Sequence, residues 1–317
     1  MISQPTAPRY ILLRILFLAL AAVALGGCAS SPAKVAKGLG TFSSLYDGKS
    51  EVAYGTELPV SSAAEAIQRG DLAVAEGDLD KGLFRYIQAL DLDEHNAEAL
   101  SKIGAIHSVR GNQRLAEIAY RWALKEDPRN IGALTGLGVL SLKKRDYAEA
   151  RKHLELAVSI NDRIPLAHNA LGVIGDLQRD YPRAQRHYER ALAAKPGSAS
   201  LLNNLGYSRY LSGNWKGATA AFREALLIDP NYERAWRNLA LVYAREKRYT
   251  EAVDALSKVQ DLPKAYNDVG YVAMVGGRLD DAKGFFEEAK RLSADFYTLA
   301  DTNQRRVEIM QGHSVAP

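Results

Sequence analysis

PLAHNALGVIGDLQRDYPRAQRHYERALAAKPGS (165–198) runs without a gap into ASLLNNLGYSRYLSGNWKGATAAFREALLIDPNY (199–232), and laying one 34-residue row over the other decides the fold. Gly172 falls on Gly206 in column 8, Ala184 on Ala218 in column 20 and Tyr188 on Phe222 in column 24. Ala191 falls on Ala225 in column 27, and Pro196 on Pro230 in column 32. Small residues in columns 8, 20 and 27 let two helices approach closely, and large residues in columns 4, 7 and 24 fill the space between them. Proline in column 32 cannot continue a helix and marks the break between units. Apolar residues recur at helical spacing within each row, interrupted near columns 15 to 17, where Gly213 and Asn214 signal a turn. Each row is therefore expected to fold as two antiparallel helices.

Moving outward, the rows 63–96, 97–130 and 131–164 keep the same register. Column 8 reads Gly70, Gly104 and Gly138, column 24 reads Tyr86, Tyr120 and Leu154, and column 27 reads Ala89, Ala123 and Ala157. Turn residues recur at Gly111-Asn112 and Arg145-Asp146. A sixth row starts at Glu233 and carries Trp236, Leu239, Tyr243, Tyr249 and Ala252. It is four residues short, because the seventh row starts at Pro263 and continues through Tyr266, Val269, Gly270, Ala282, Phe286 and Ala289. The deletion falls around Val259 to Leu262, which predicts a shortened second helix and a changed angle between the last two units. The first row is degenerate, with Ala66 and Arg69 where large apolar residues belong, as befits a terminal unit with one face to water. Beyond the rows, Phe296, Ala300, Asn303, Val307 and Met310 share a helical face, which predicts a capping helix over 297–311 and a frayed tail over 312–317.

The row pattern resembles the tetratricopeptide repeat over 63–296. The resemblance implies an all-α, right-handed α-solenoid of about seven helix–turn–helix repeats with a C-terminal capping helix. It also implies that first helices line the concave side, with columns 2, 5, 9 and 12 pointing into a groove and column 6 beside it. Those columns give Asn169, Asn203, Asn204, Tyr207, Tyr210, Arg234, Arg237, Asn238, Lys264, Asn267 and Tyr271 as candidate peptide-binding residues. The early rows offer Ser101, Ala105, Thr135, Val139 and Leu142, a smaller and more apolar lining. Asparagine carries both a donor and an acceptor and can clamp a peptide backbone. Tyrosine offers a rigid apolar face with a polar tip, and Arg and Lys favour an acidic segment or a terminal carboxylate.

The first 27 residues stand apart: Arg9 and Arg14, an unbroken apolar run from Ile15 to Ala24, then Leu25, Gly26 and Gly27 before Cys28. That layout is a secretory signal, and its apolar core is short for a membrane span. Cys28 is the single cysteine, so no intramolecular disulfide can form. Its position resembles the lipobox of bacterial lipoproteins, which implies lipidation at Cys28 and an outer-membrane, periplasm-facing location. Residues 28–62 read as the lipidated cysteine and a flexible tether, in which short pieces such as Phe42 to Tyr46 are expected to dock locally.

No chemistry-bearing constellation emerges. The six histidines lack zinc-motif spacing, Gly136-Leu137-Gly138 is no phosphate loop, and repeats use up nearly all the mature chain. His153 and His187, both in column 23, are expected at the surface. The expectation is a non-enzymatic scaffold without cofactor or metal. A net charge of +4 gives no nucleic-acid footprint, so the expected partners are proteins, held as extended segments, and the membrane. The lipobox, the array and the ending from Tyr297 to Val307 together resemble the TadD family of repeat lipoproteins. That resemblance implies a role in assembling tight-adherence (Flp) pili or their secretin. Pilotin-like proteins of type IV pili and NlpI-like adaptors for peptidoglycan hydrolases share the architecture and stay open as alternatives.

Overall fold

The computed structural model describes residues 40–47, 60–295 and 297–312. The signal segment, Cys28, Phe296 and the last five residues lie outside the described residues. Among the described residues there are fifteen α-helices and no strand. First helices are α1 (Ala63–Ala75), α3 (Ala97–Arg110), α5 (Ile131–Lys143), α7 (Pro165–Leu177), α9 (Ala199–Leu211), α11 (Glu233–Arg245) and α13 (Leu262–Val275). Second helices are α2 (Leu79–Leu92), α4 (Gln113–Glu126), α6 (Tyr147–Ile160), α8 (Tyr181–Ala194), α10 (Trp215–Ile228), α12 (Tyr249–Leu256) and α14 (Leu279–Leu292). The seven rows thus become seven antiparallel pairs, followed by α15 (Thr298–Met310).

The columns do what their residue types allow. A Cβ on Gly172 would come within 2.6 Å of the Tyr188 ring, and column 8 meets column 24 in the same way in every row that carries glycine there. The sixth row is the informative exception: Ala240 replaces the glycine, opposite a leucine, Leu256, in column 24. Column 15 is left-handed in all seven turns, at Gly77, Gly111, Arg145, Arg179, Gly213, Lys247 and Gly277. In rows one, three, four and five the Asp or Asn beside the turn then caps the second helix, as Asp180 does by accepting from the Arg183 amide.

Helix α12 has 8 residues, against 14 in α10 and in α14. The four-residue deletion is therefore absorbed by this helix, as the register predicts. Its chain turns after Leu256 and re-enters a helix at Leu262, capped by Asp261.

Every helix packs on the next, and from α3 onward each first helix also packs on the following first helix. Second helices make no comparable contacts with one another. Neighbouring units are therefore closer along their first helices, and the array curves with those helices inside. Helix α15 closes the array against α13 and α14, burying Ala300, Asn303 and Val307. Met310, expected on that face, is exposed, because no further row covers the last turn.

Part of the segment read as a flexible tether belongs to the folded body. Residues 40–45 form a 3-10 turn against α2, and Leu45 is 1% exposed within the core of rows one and two. The Phe42 ring meets Trp122 edge-on at 6.1 Å, and His107 Nε2 bonds the Leu45 carbonyl at 2.8 Å. Asp47 accepts from Arg110 and Asn112. Two apolar anchors and one held carboxylate dock this strap on the outer side of α3, between α2 and α4.

Candidate functional site: the inner face of rows four to seven

The inner face is built from first helices, and its asparagines hold the rows to one another. Asn204 Nδ2 donates to Asn169 Oδ1 at 2.8 Å, and Asn238 Nδ2 donates to Asn203 Oδ1 at 2.9 Å. In both, column 6 of one row reaches column 5 of the row before. A third rung joins Asn303 of the capping helix to Asn267 at 3.0 Å. Asn203 and Asn267, expected as peptide clamps, are 5% and 2% exposed, and their side-chain oxygens accept from the next element of the ladder. Buried amides must be paired, and the neighbouring row supplies the partner.

Between rows six and seven the rung changes. Arg237 and Asp268 occupy the two positions, and Gln260 bridges them. It accepts from Arg237 Nη1 at 2.6 Å and donates to Asp268 at 2.9 Å. Gln260 lies in the turn left by the deletion, so the shortened row is tied by a side chain from outside the first helices. Beside it, a cavity of about 250 Å³ opens between α11 and α13, lined by Arg237, Asn238, Leu241, Asp268, Val269 and Val272.

The remaining candidates face solvent on this surface. Tyr207, Tyr271, Arg234, Arg237 and Lys264 are exposed, and Tyr210 is half-buried. The Tyr207 and Tyr210 rings stack at 6.1 Å, and Arg245 of the next row donates to Tyr210 Oη at 3.2 Å. The Asp261 carboxylate bonds Lys264 Nζ at 2.8 Å and raises its pKa. The solvent-facing part of this surface is therefore tyrosine faces and cations laid over an asparagine ladder.

Asp176 is a group that the columns did not single out. It accepts from Ser208 Oγ at 2.6 Å and Tyr188 Oη at 2.9 Å, and burial pushes its pKa up. His187 is also not the surface residue that column 23 implied. His168 stands in column 4, where other rows place apolar residues, and is fully buried. Its Nδ1 lies 3.1 Å from Nδ1 of His187, and its Nε2 lies 2.9 Å from the Asp162 carbonyl. With the His168 proton on Nε2, its Nδ1 accepts the hydrogen bond that His187 Nδ1 donates. Burial, then His168 and the arginines Arg183, Arg190 and Arg186, lower the His187 pKa to about 4. His153 is half-buried as well, and burial lowers its pKa. Among the described residues, no group of three or more His, Cys, Asp or Glu could hold a metal ion, and no helix is long and apolar enough to cross a membrane.

Comparison with known proteins agrees with this architecture. Tetratricopeptide-repeat family models match residues 108–168, 178–233 and 209–268. A tetratricopeptide repeat protein from Parabacteroides merdae superposes with a TM-score of 0.51 at 17% identity, covering 78% of this chain and 99% of that one. Pseudomonas aeruginosa pilF gives 0.52 at 20% identity, covering 69% and 98%. The APC/C hetero-tetramer Cut9–Hcn1 gives 0.56 at 17% identity, covering 81% of this chain and 50% of that one. No curated protein sequence matches the chain. At these identities the solved structures speak to the fold alone. Residues 108–168 and 178–268 of the chain carry tetratricopeptide repeats.

Proposed function

We propose that this protein is a lipid-anchored scaffold that holds an extended segment of a partner along the inner face of rows four to seven, in the assembly of a tight-adherence (Flp) pilus or its secretion apparatus. The observation that carries the binding role is the surface formed by Tyr207, Tyr210, Tyr271, Arg234 and Arg237. Exposed aromatic faces beside cations, with a small cavity opening next to Arg237, suit a segment with apolar side chains and acidic character. The ladder beneath is already bonded, so the surface is organised before a partner arrives, which lowers the cost of binding. The anchor rests on the lipobox at Cys28, and the pilus assignment rests on the family resemblance of the whole layout. An outer-membrane, periplasm-facing location follows from the same reading.

A photo-crosslinking residue placed at Tyr207 in cells tests the reading. The expected product is a crosslink to a secretin or pilus component, lost when Tyr271→Ala and Arg237→Ala are added. A crosslink to a peptidoglycan hydrolase, or none from a folded protein, overturns the pilus assignment. For the anchor, Cys28→Ser is expected to release the protein from the membrane fraction; unchanged fractionation refutes lipidation.

A further inference from the structure

The strap shows how the outer side of this array receives a peptide. Phe42 and Leu45, three residues apart, dock where α2, α3 and α4 meet, beside Leu100, His107 and Trp122. Those three residues stand in columns 4, 11 and 26 of the second row. The same columns in the sixth row are Trp236, Tyr243 and Lys258, where α10, α11 and α12 meet. There they line a cavity of about 600 Å³, together with Leu226, Leu227 and Leu239.

Two independent features create this cavity. Helix α12 ends six residues short of its counterparts, and the cavity lies at its end, where Ala255 and Lys258 help to line it. At this place the sequence becomes more apolar. Column 29 is Asp91, Lys125, Ser159, Ala193 and Arg291 in the other rows but Leu227 here, and Leu227 is 84% exposed. One exposed leucine is ordinary; one at the mouth of a cavity walled by Leu226, Trp236, Leu239 and Tyr243 is a patch. The rim carries Arg223 and Lys258 against Glu251 and Asp254, with no net charge to attract a strongly ionic ligand.

We propose that this outer seam of rows five and six is a second docking site, which takes a short protein segment with two large apolar side chains three residues apart, the pattern Phe42 and Leu45 display on rows one and two. It lies on the opposite side of the array from the inner face and does not depend on the function proposed above. With two anchors, its affinity as an isolated site is weak, roughly in the micromolar to millimolar range.

The probe is a fluorescent peptide of residues 40–47 titrated into the full chain, whose own strap fills the first seam. Saturable binding is expected, weakened about tenfold or more by Leu227→Asp and likewise by leucine-to-alanine replacement in the peptide. Leu227 is so exposed that its replacement leaves the fold intact, which circular dichroism verifies. A photo-reactive leucine in the peptide is expected to crosslink to α10 or α11. Absence of saturable binding, or equal binding to the wild type and Leu227→Asp, overturns the proposal. So does a crosslink confined to α2–α4, which would mean exchange with the strap.

Discussion

Rows four and six follow one template, and row six has lost four residues of it. In row four, glycine at column 8 receives a tyrosine ring, the second helix runs its full length, and asparagine meets asparagine across the next interface. In row six, alanine faces leucine, the second helix has 8 residues, and glutamine replaces the direct rung. A deletion in a solenoid is thus tolerated when three coupled features change together: close approach, helix length and the rung to the next row. It leaves openings on both sides of the shortened helix.

The sharpest way to break the contrast is to move column 8 of row six into row four. Gly172→Ala places a methyl 2.6 Å from the Tyr188 ring and is expected to destabilise the protein by about 1–3 kcal/mol, read from urea denaturation. Adding Tyr188→Leu, the sixth-row pairing, should recover part of that loss; a double variant no better than the single one refutes the column 8–24 coupling. Next in size is the ladder. Asn203→Ala leaves the Asn238 amide without its partner and should cost about 1–3 kcal/mol, whereas Gln260→Ala, in the turn, should cost about 1 kcal/mol or less. Equal costs would mean that the two kinds of rung are equivalent.

The histidine pair gives row four a pH signature that row six lacks. The folded state holds His187 at about 4, while the unfolded chain takes up the proton near 6.5. The neutral form is therefore the one folding favours. Its contribution is complete above about pH 6.5 and is lost as pH falls from there toward about 4. His187→Ala, which installs the residue that rows two, five and six carry in column 23, should flatten stability over that window. An unchanged slope would exclude the pair as its origin. The smallest effect is expected at the turns: Arg179→Gly relieves a left-handed arginine and should stabilise by roughly 0.5–1 kcal/mol, as should Lys247→Gly in row six. A loss of stability in either would show that the side chain does more than occupy the turn.

The fold was legible because a solenoid repeats its instructions. Seven rows restate the same columns, so helix starts, turns and the shortened α12 all follow from register. The site was legible only as columns. Asn203 lies on the expected face, but its burial depends on a partner 35 residues away, one row and one position on. That spacing, shared by Asn169 with Asn204 and Asn203 with Asn238, was the available signal, and a row-by-row alignment offsets it. Gln260 had no signal, since it lies where the register is broken. His187 was misread because its environment is set by His168 across the helix pair, an exception to its own column.

The docked strap also fixes where mechanical load enters the molecule. Tension arriving from the N-terminal side at residue 40 is delivered through Leu45 and Asp47 to α2 and α3, and α1 lies outside the load path. Helix α1 stands off that path, while α2 and α3 act as the coupling. An array pulled from this end yields first at the strap, and only after that release would force begin to peel the repeats from α1 inward.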